Sequence, residues 1–122
     1  MAVAFNGSIP AVRSITETNR LITTKTGDQE ILNCTISKNS NIKHFSIFVV
    51  PDKSDKLTEF YYFGDFHVLI NDVKVFDGIL SNLNGGCFTA NPDIFVQLGE
   101  IISIHCIPNT SLKHTWVTNI VY

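Results

Sequence analysis

The stretch Ile94-Phe95-Val96-Gln97-Leu98-Gly99-Glu100-Ile101-Ile102-Ser103-Ile104-His105-Cys106-Ile107 carries the strongest fold signal in the chain. Side chains of a strand alternate between its two faces. Ile94, Val96 and Leu98 therefore share one face, and Ile102, Ile104 and Cys106 share another. A three-residue turn sets Leu98 opposite Ile102, Val96 opposite Ile104 and Ile94 opposite Cys106. A two-residue turn instead sets Val96 opposite Ser103 and Ile94 opposite His105. Only the first register builds a continuous apolar face, so a hairpin in that register is expected.

Similar short alternating segments fill the rest of the chain. Val12–Lys25 reads as one or two strands rich in Thr and Ile, and Thr26-Gly27-Asp28 as a turn. Gln29–Ser37 reads as a strand with Leu32, Cys34 and Ile36 on one face. Lys43–Val50 is apolar on both faces, since Phe48 and Val50 back the row Phe45, Ile47 and Val49; such a strand sits centrally or is covered. Thr58–Phe63 is aromatic and strand-like. Asp65–Asn71 continues with Phe66, Val68 and Ile70 together, and Gly64 is a candidate bend. After the Asn71-Asp72 turn, Val73–Phe76 is a short strand and 77–83 reads as irregular or as one helical turn. Asn84-Gly85-Gly86 and Asn91-Pro92-Asp93 are turns. His114–Tyr122 closes the chain, with Trp116, Thr118 and Ile120 opposing Val117, Asn119 and Val121. Seven or more strands at this spacing predict an all-β, two-sheet antiparallel sandwich, jelly-roll-like, with an Ig-like sandwich as the alternative. Against the Ig-like order, no Trp lies midway between Cys34 and Cys106.

The 122 residues suffice for one domain with a core of its own, 44% of them being hydrophobic. The expected division is an extended N-terminal arm, residues 1–11, followed by one sandwich domain, 12–122. Charged residues make up 16%, against about 25% in a typical domain, which fits a surface partly covered by partners or rich in Ser, Thr and Asn. The formal net charge is −2 and Lys and Arg form no cluster, so the electrostatic footprint of a nucleic-acid binder is missing. Apolar runs are too short for a membrane-spanning helix. Met1–Gly7 has no basic residue and too short an apolar run for a signal peptide, so cytoplasmic synthesis and assembly are expected, with Cys34 and Cys106 as buried thiols.

Chemistry is sparse in the sequence. His44, His67, His105 and His114 are dispersed in or beside strands, and no Cys-x-x-Cys or His-x-His occurs. His105 and Cys106 point to opposite faces of one strand and cannot share an ion, which leaves only a site assembled from separated strands. Cys87 follows a glycine turn but no helix follows it to lower a thiol pKa. Asp52 with Asp55, and Asn71 with Asp72, lack the spacing of a calcium loop and read as solvated turns. On the residues alone there is thus no catalytic residue, no cofactor site and no metal ligand, and the protein is read as a non-enzyme. The candidate contact residues are Val3, Phe5 and Ile9 of the arm, with Tyr61 and Phe63 of the aromatic cluster. Rings there would serve a subunit contact or stack on a sugar.

Two stretches resemble small β-sandwich structural proteins in the virions of tailed bacteriophages. One runs from Gly27-Asp28-Gln29-Glu30-Ile31-Leu32-Asn33-Cys34-Thr35 to Phe45-Ser46-Ile47-Phe48-Val49-Val50-Pro51. The other is Phe95 to Ile104, with the turn Leu98-Gly99-Glu100-Ile101, where such proteins more often carry Gly-Asp. The similarity covers roughly residues 27–122. It implies a capsid decoration (cement) or tail-associated protein, located in the virion and packed against other virion proteins. A homo-oligomer, with a trimer favoured, is the expected state. A carbohydrate-binding sandwich module, with a glycan as partner, is the alternative, and a cupin-like enzyme is disfavoured by the missing His-x-His pair.

Overall fold

A computed structural model describes residues 13–51, 62–109 and 112–122. Among them ten strands form: β1 (Thr16–Thr23), β2 (Gln29–Thr35), β3 (Ser40–Ile42), β4 (His44–Pro51), β5 (Tyr62–Ile70), β6 (Val73–Ser81), β7 (Cys87–Ala90), β8 (Ile94–Val96), β9 (Ile101–Pro108) and β10 (His114–Val121). They build two antiparallel sheets, in the orders β1-β10-β4-β7 and β2-β9-β5-β6, with β3 and β8 paired as a separate ribbon. The expected N-terminal arm, residues 1–11, lies outside the described residues.

Without the small ribbon, the chain visits the two sheets in the pattern one, two, one, two, two, one, two, one. Late strands slot between early ones: β10 lies between β1 and β4, and β9 between β2 and β5. That interleaving is the jelly roll, two Greek keys folded into a sandwich. The Ig-like alternative drops out. Cys34 on β2 and Cys106 on β9 belong to the same sheet, and both thiols are free.

Alternation explains most of the core. On β10 the inward side chains Trp116, Thr118 and Ile120 are buried, as is Tyr122 beyond the strand. Phe45, Ile47 and Val49 face inward from β4, Phe66 and Val68 from β5, and Ile102, Ile104 and Cys106 from β9. Rings interlock at the centre, with centroids of Phe45 and Phe66 5.8 Å apart and of Phe66 and Phe88 5.0 Å apart. Each such side chain stabilises the fold by about 1.5–3 kcal/mol relative to exposure. Thr118, fully enclosed, donates its hydroxyl to the Ser46 carbonyl at 2.9 Å, whereas the indole N–H of the equally enclosed Trp116 is buried without a hydrogen-bond partner. As expected, β4 is central and apolar inside, while Val50 on its other face stays exposed.

The expected 94–98/101–107 hairpin does not form. β8 pairs with β3, in the register Ser40↔Val96 and Ile42↔Ile94, while β9 pairs with β2 and β5. Gln97–Glu100 is still a turn, closed by Glu100 N–H donating to the Gln97 carbonyl at 3.0 Å. It is tied to Ile36, with Gly99 N–H donating to the Ile36 carbonyl and Ile36 N–H to the Glu100 carbonyl, both at 2.8 Å. Gln97 N–H donates to Glu100 Oε1 at 2.7 Å and Leu98 N–H to Asn39 Oδ1 at 2.8 Å. Long ladders on both edges of β9 supply more hydrogen bonds than a three-residue β8 could, so the turn redirects the chain instead of folding it back. The expected facing survives only in part: Val96, Ile102, Ile104 and Cys106 are fully buried, whereas Ile94 is half-buried and Leu98, carried by the turn, is 67% exposed.

Two further differences concern β5 and β6. β6 extends through residue 81, where 77–83 was expected to be irregular or helical, and only Asn82–Asn84 forms a 3-10 turn, capped by the Ser81 side chain. Gly64 does not break β5 but sits in a bulge with φ +151°, where a Cβ would come within 2.4 Å of the Ile107 carbonyl oxygen. No helix among the described residues is long and apolar enough to cross a membrane.

Candidate functional site

Each sheet turns one face outward, and the two outward faces differ in chemistry. On the β2-β9-β5-β6 sheet, the cross-strand pairs Glu30↔His105, His105↔His67 and His67↔Asp77 line up as one row across four strands. The row is outward because Cys106 and Phe66, the neighbours of the two histidines, are buried in the core.

Within the row, His67 and His105 stack with ring centroids 5.0 Å apart and planes inclined by 30°. Asp28 reaches over both rings from the β1–β2 connection. Its Oδ1 lies 2.6 Å from His105 Nδ1 and its Oδ2 lies 3.4 Å from His67 Nε2. Gly27, at φ +88°, makes the left-handed step that brings the chain to Asp28. Side-chain bonds brace that connection: Thr23 Oγ1 donates to Gln29 Oε1 at 2.7 Å, and Gln29 Nε2 donates to the Lys25 carbonyl at 2.9 Å. Glu30 Oε1 stands 3.9 Å from His105 Nε2 and accepts from Asn33 Nδ2 at 3.1 Å. Asp77, at the far end of the row, is paired with Lys74 at 2.9 Å. A shallow hollow of about 370 Å³ lies beside His67, between Asp65, Lys74, Asp77, Ile79 and Ile107.

The carboxylate of Asp28 thus faces two imidazoles at once, hydrogen-bonded to His105 Nδ1 and 3.4 Å from His67 Nε2, and both rings are held on strand ladders. One donor atom each from Asp28, His67 and His105 fall within 4.8 Å of one another. Both histidine side chains are mostly covered, at 17% and 19% exposure, while Asp28 is open at 53%. Cys106 takes no part. It faces the core, where desolvation, reinforced by the negative charge of Asp28, pushes its thiol up to about 12.

The other histidines stand apart from this group. His44, on β4 of the other sheet, has Nδ1 3.0 Å from the side-chain amide of Asn91, just beyond the neighbouring strand β7. His114 is buried, with Nδ1 2.6 Å from the Leu112 carbonyl and its ring edge-on to Phe63. Cys87 is exposed on β7, across the sandwich from His67 and His105. Asn71 and Asp72 form the left-handed tip of the β5–β6 hairpin, and Asn71 Oδ1 accepts from Ile101 N–H at 2.9 Å. The Asp52–Asp55 loop lies outside the described residues.

The outward face of the β1-β10-β4-β7 sheet is apolar over two adjoining rows. These are Ile22-Thr115-Val50 and Arg20-Val117-Phe48-Cys87. Ile22 and Val50 are exposed, at 54% and 48%, and Val117 and Phe48 are half-buried. The next row is polar and internally bonded, with Thr18 Oγ1 donating to Asn119 Oδ1 at 2.6 Å and Asn119 Nδ2 to Ser46 Oγ at 3.0 Å.

Of the contact residues expected from sequence, Val3, Phe5, Ile9 and Tyr61 lie outside the described residues. Phe63 is a correction. Its ring is buried in its own domain, against His114 and over Gly86, because the bulge before Gly64 turns it inward. It offers no exposed ring to a partner or a sugar. The residues that sequence reasoning missed are Asp28, His67 and His105 as a group, and Ile22 and Val50 as a shared patch. No family model matches the chain, and no curated protein or solved structure matches it either.

Proposed function

We propose that the protein is a non-enzymatic structural subunit of a bacteriophage virion, of the capsid-decoration or tail-associated kind. It acts through subunit contacts in a symmetric homo-oligomer, a trimer in the favoured case. The observation that carries this reading is the apolar outward face of the β1-β10-β4-β7 sheet. An antiparallel sandwich ordinarily turns a polar face to water. Leaving Ile22, Val50, Val117 and Phe48 wet forgoes roughly 25 cal/mol for each Å² that a partner would cover.

The occupant in this reading is a second copy of the chain. The two apolar rows carry one charge, Arg20, so little charge has to be desolvated when a neighbouring copy covers them. The adjoining Thr18-Asn119-Ser46 row supplies the polar rim that such contacts have. The resemblance of residues 27–122 to virion sandwich proteins supports the same reading. The jelly roll agrees with it, being used by viral capsid domains among others. The protein then assembles in the host cytoplasm, resides in the virion and contacts other virion proteins, with no part played by nucleic acid or membrane.

Two measurements test this. Sedimentation velocity of the full chain at micromolar concentration should give an oligomer, and the paired variant Ile22→Lys with Val50→Asp should give a monomer with the parent's circular dichroism. Mass spectrometry of particles purified from an infected culture should find the chain as a stoichiometric component. A variant that assembles like the parent, or a chain missing from the particles, overturns the reading.

A further inference from the structure

We propose that Asp28, His67 and His105 bind a divalent transition-metal ion of the zinc class on the outward face of the β2-β9-β5-β6 sheet. This goes beyond the assembly reading and uses the opposite face of the sandwich. Two imidazoles and one carboxylate are a borderline donor set, suited to zinc and its neighbours and unsuited to magnesium or calcium, which take mostly oxygen. Three protein ligands leave a fourth position for water, and the exposed side of Asp28 is the path by which the ion enters.

The distances fit such an ion. Bonds of about 2.0–2.2 Å from one tetrahedral centre place its donor atoms roughly 3.3 Å apart. Asp28 Oδ2 and His67 Nε2 already stand at 3.4 Å. Asp28 Oδ1 and His105 Nδ1, at 2.6 Å, share a hydrogen bond that the ion would replace. The Asp28–His105 pair would open by under about 1 Å, a shift that falls on Asp28 in its connection, and the three donor atoms, all within 4.8 Å of one another, would draw together around the ion.

The surroundings place a carboxylate on the side of His105 where the second layer of a metal centre would lie. A ligating histidine usually donates its other ring N–H to a carboxylate, which fixes the ring and makes the ligating nitrogen more basic. Here His105 turns Nδ1 to Asp28 and Nε2 towards Glu30, at 3.9 Å, and Glu30 is itself held by Asn33. The ion would tie the β1–β2 connection, and with it the start of the edge strand β2, to the two inner strands β9 and β5. Its contribution is structural, through a ligand set that exists only when those elements are assembled.

The test uses the full chain, stripped with a chelator and titrated with zinc chloride near neutral pH. Calorimetry should give one ion per chain, and the melting temperature should rise with zinc and not with magnesium. Cobalt(II) in place of zinc should give the strong visible bands of a four-coordinate site. His67→Gln and His105→Gln should each weaken binding by more than about 100-fold, and Glu30→Gln by roughly 10–100-fold. Asp28→Asn, placed outside the strands, keeps the test decisive if a histidine variant fails to fold. His44→Gln and Cys87→Ser should bind as the parent does. Absence of saturable zinc binding by the parent overturns the proposal, and so does undiminished binding by Asp28→Asn together with the histidine variants.

Discussion

Ile104 sits on a central strand with no solvent exposure, enclosed by side chains from both sheets. Its replacement by Ala leaves a cavity that strand ladders on either side cannot collapse. The cost should be about 2–4 kcal/mol, read as a lower denaturation midpoint at unchanged slope. The three cysteines separate just as sharply. Cys87 is exposed, whereas desolvation, aided by the charge of Glu17, pushes the Cys34 thiol up to about 11. Thiol labelling of the native chain should therefore modify Cys87 alone, and labelling in denaturant all three. Linkage sets the sign of the pH effect. Above the unfolded thiol value of 9.0 the unfolded chain sheds a proton that the folded chain keeps until about 11. Stability should then fall as pH rises through that window, which urea midpoints at about pH 8.5 and 10.5 would register. At this scale much was legible. Alternation alone places His67 away from Phe66 and Val68, and His105 away from Cys106. What it cannot supply is that β5 and β9 are neighbours, and only that adjacency brings the two rings together. Asp28 was hidden for another reason: Thr26-Gly27-Asp28 reads as an ordinary turn, and where a turn aims its side chain depends on both strands it joins.

Strands were easier to read than their partners. Gln29–Thr35, His44–Pro51 and His114–Val121 carry the alternation that marks them, and the turns at Asn71-Asp72 and Gly85-Gly86 fall where Asn and Gly put them. Pairing failed for Ile94–Val96 because local pattern favours the nearest apolar strand, whereas β9 is claimed on both edges by strands from elsewhere in the chain. The β5 bulge shows a second limit. Gly64 signals a bend, yet only the approach of the Ile107 carbonyl explains why no side chain fits. Gly64→Ala should cost at least about 2 kcal/mol, combining that clash with a left-handed φ, whereas Gly85→Ala meets nothing within 4 Å and should cost less. Paired thermal melts of the two variants would separate contact from backbone strain. The same bulge explains Phe63, whose inward turn no strict alternation over 58–63 could foresee.

The whole molecule presents two unlike surfaces on one core: an apolar sheet face with Arg20 as its charge, and a face with a row of Glu30, His105, His67 and Asp77. The overall class followed from strand number and spacing, but the division of labour between the faces did not, because it depends on which strands share a sheet. The interleaved strand order also has a consequence for how the protein comes into being. A ribosome delivers β4 and β5 long before β10 and β9, which are the strands that fill the gaps beside them. Until the last third of the chain has been made, each half-built sheet keeps an open edge of unpaired backbone in its middle, where other chains can add. Neither sheet can therefore mature during synthesis from its first strand onwards. The fold closes late, by insertion of the final strands between earlier ones, and a chain cut short before β10 would be left with the edges of β1 and β4 both unpaired and prone to aggregate.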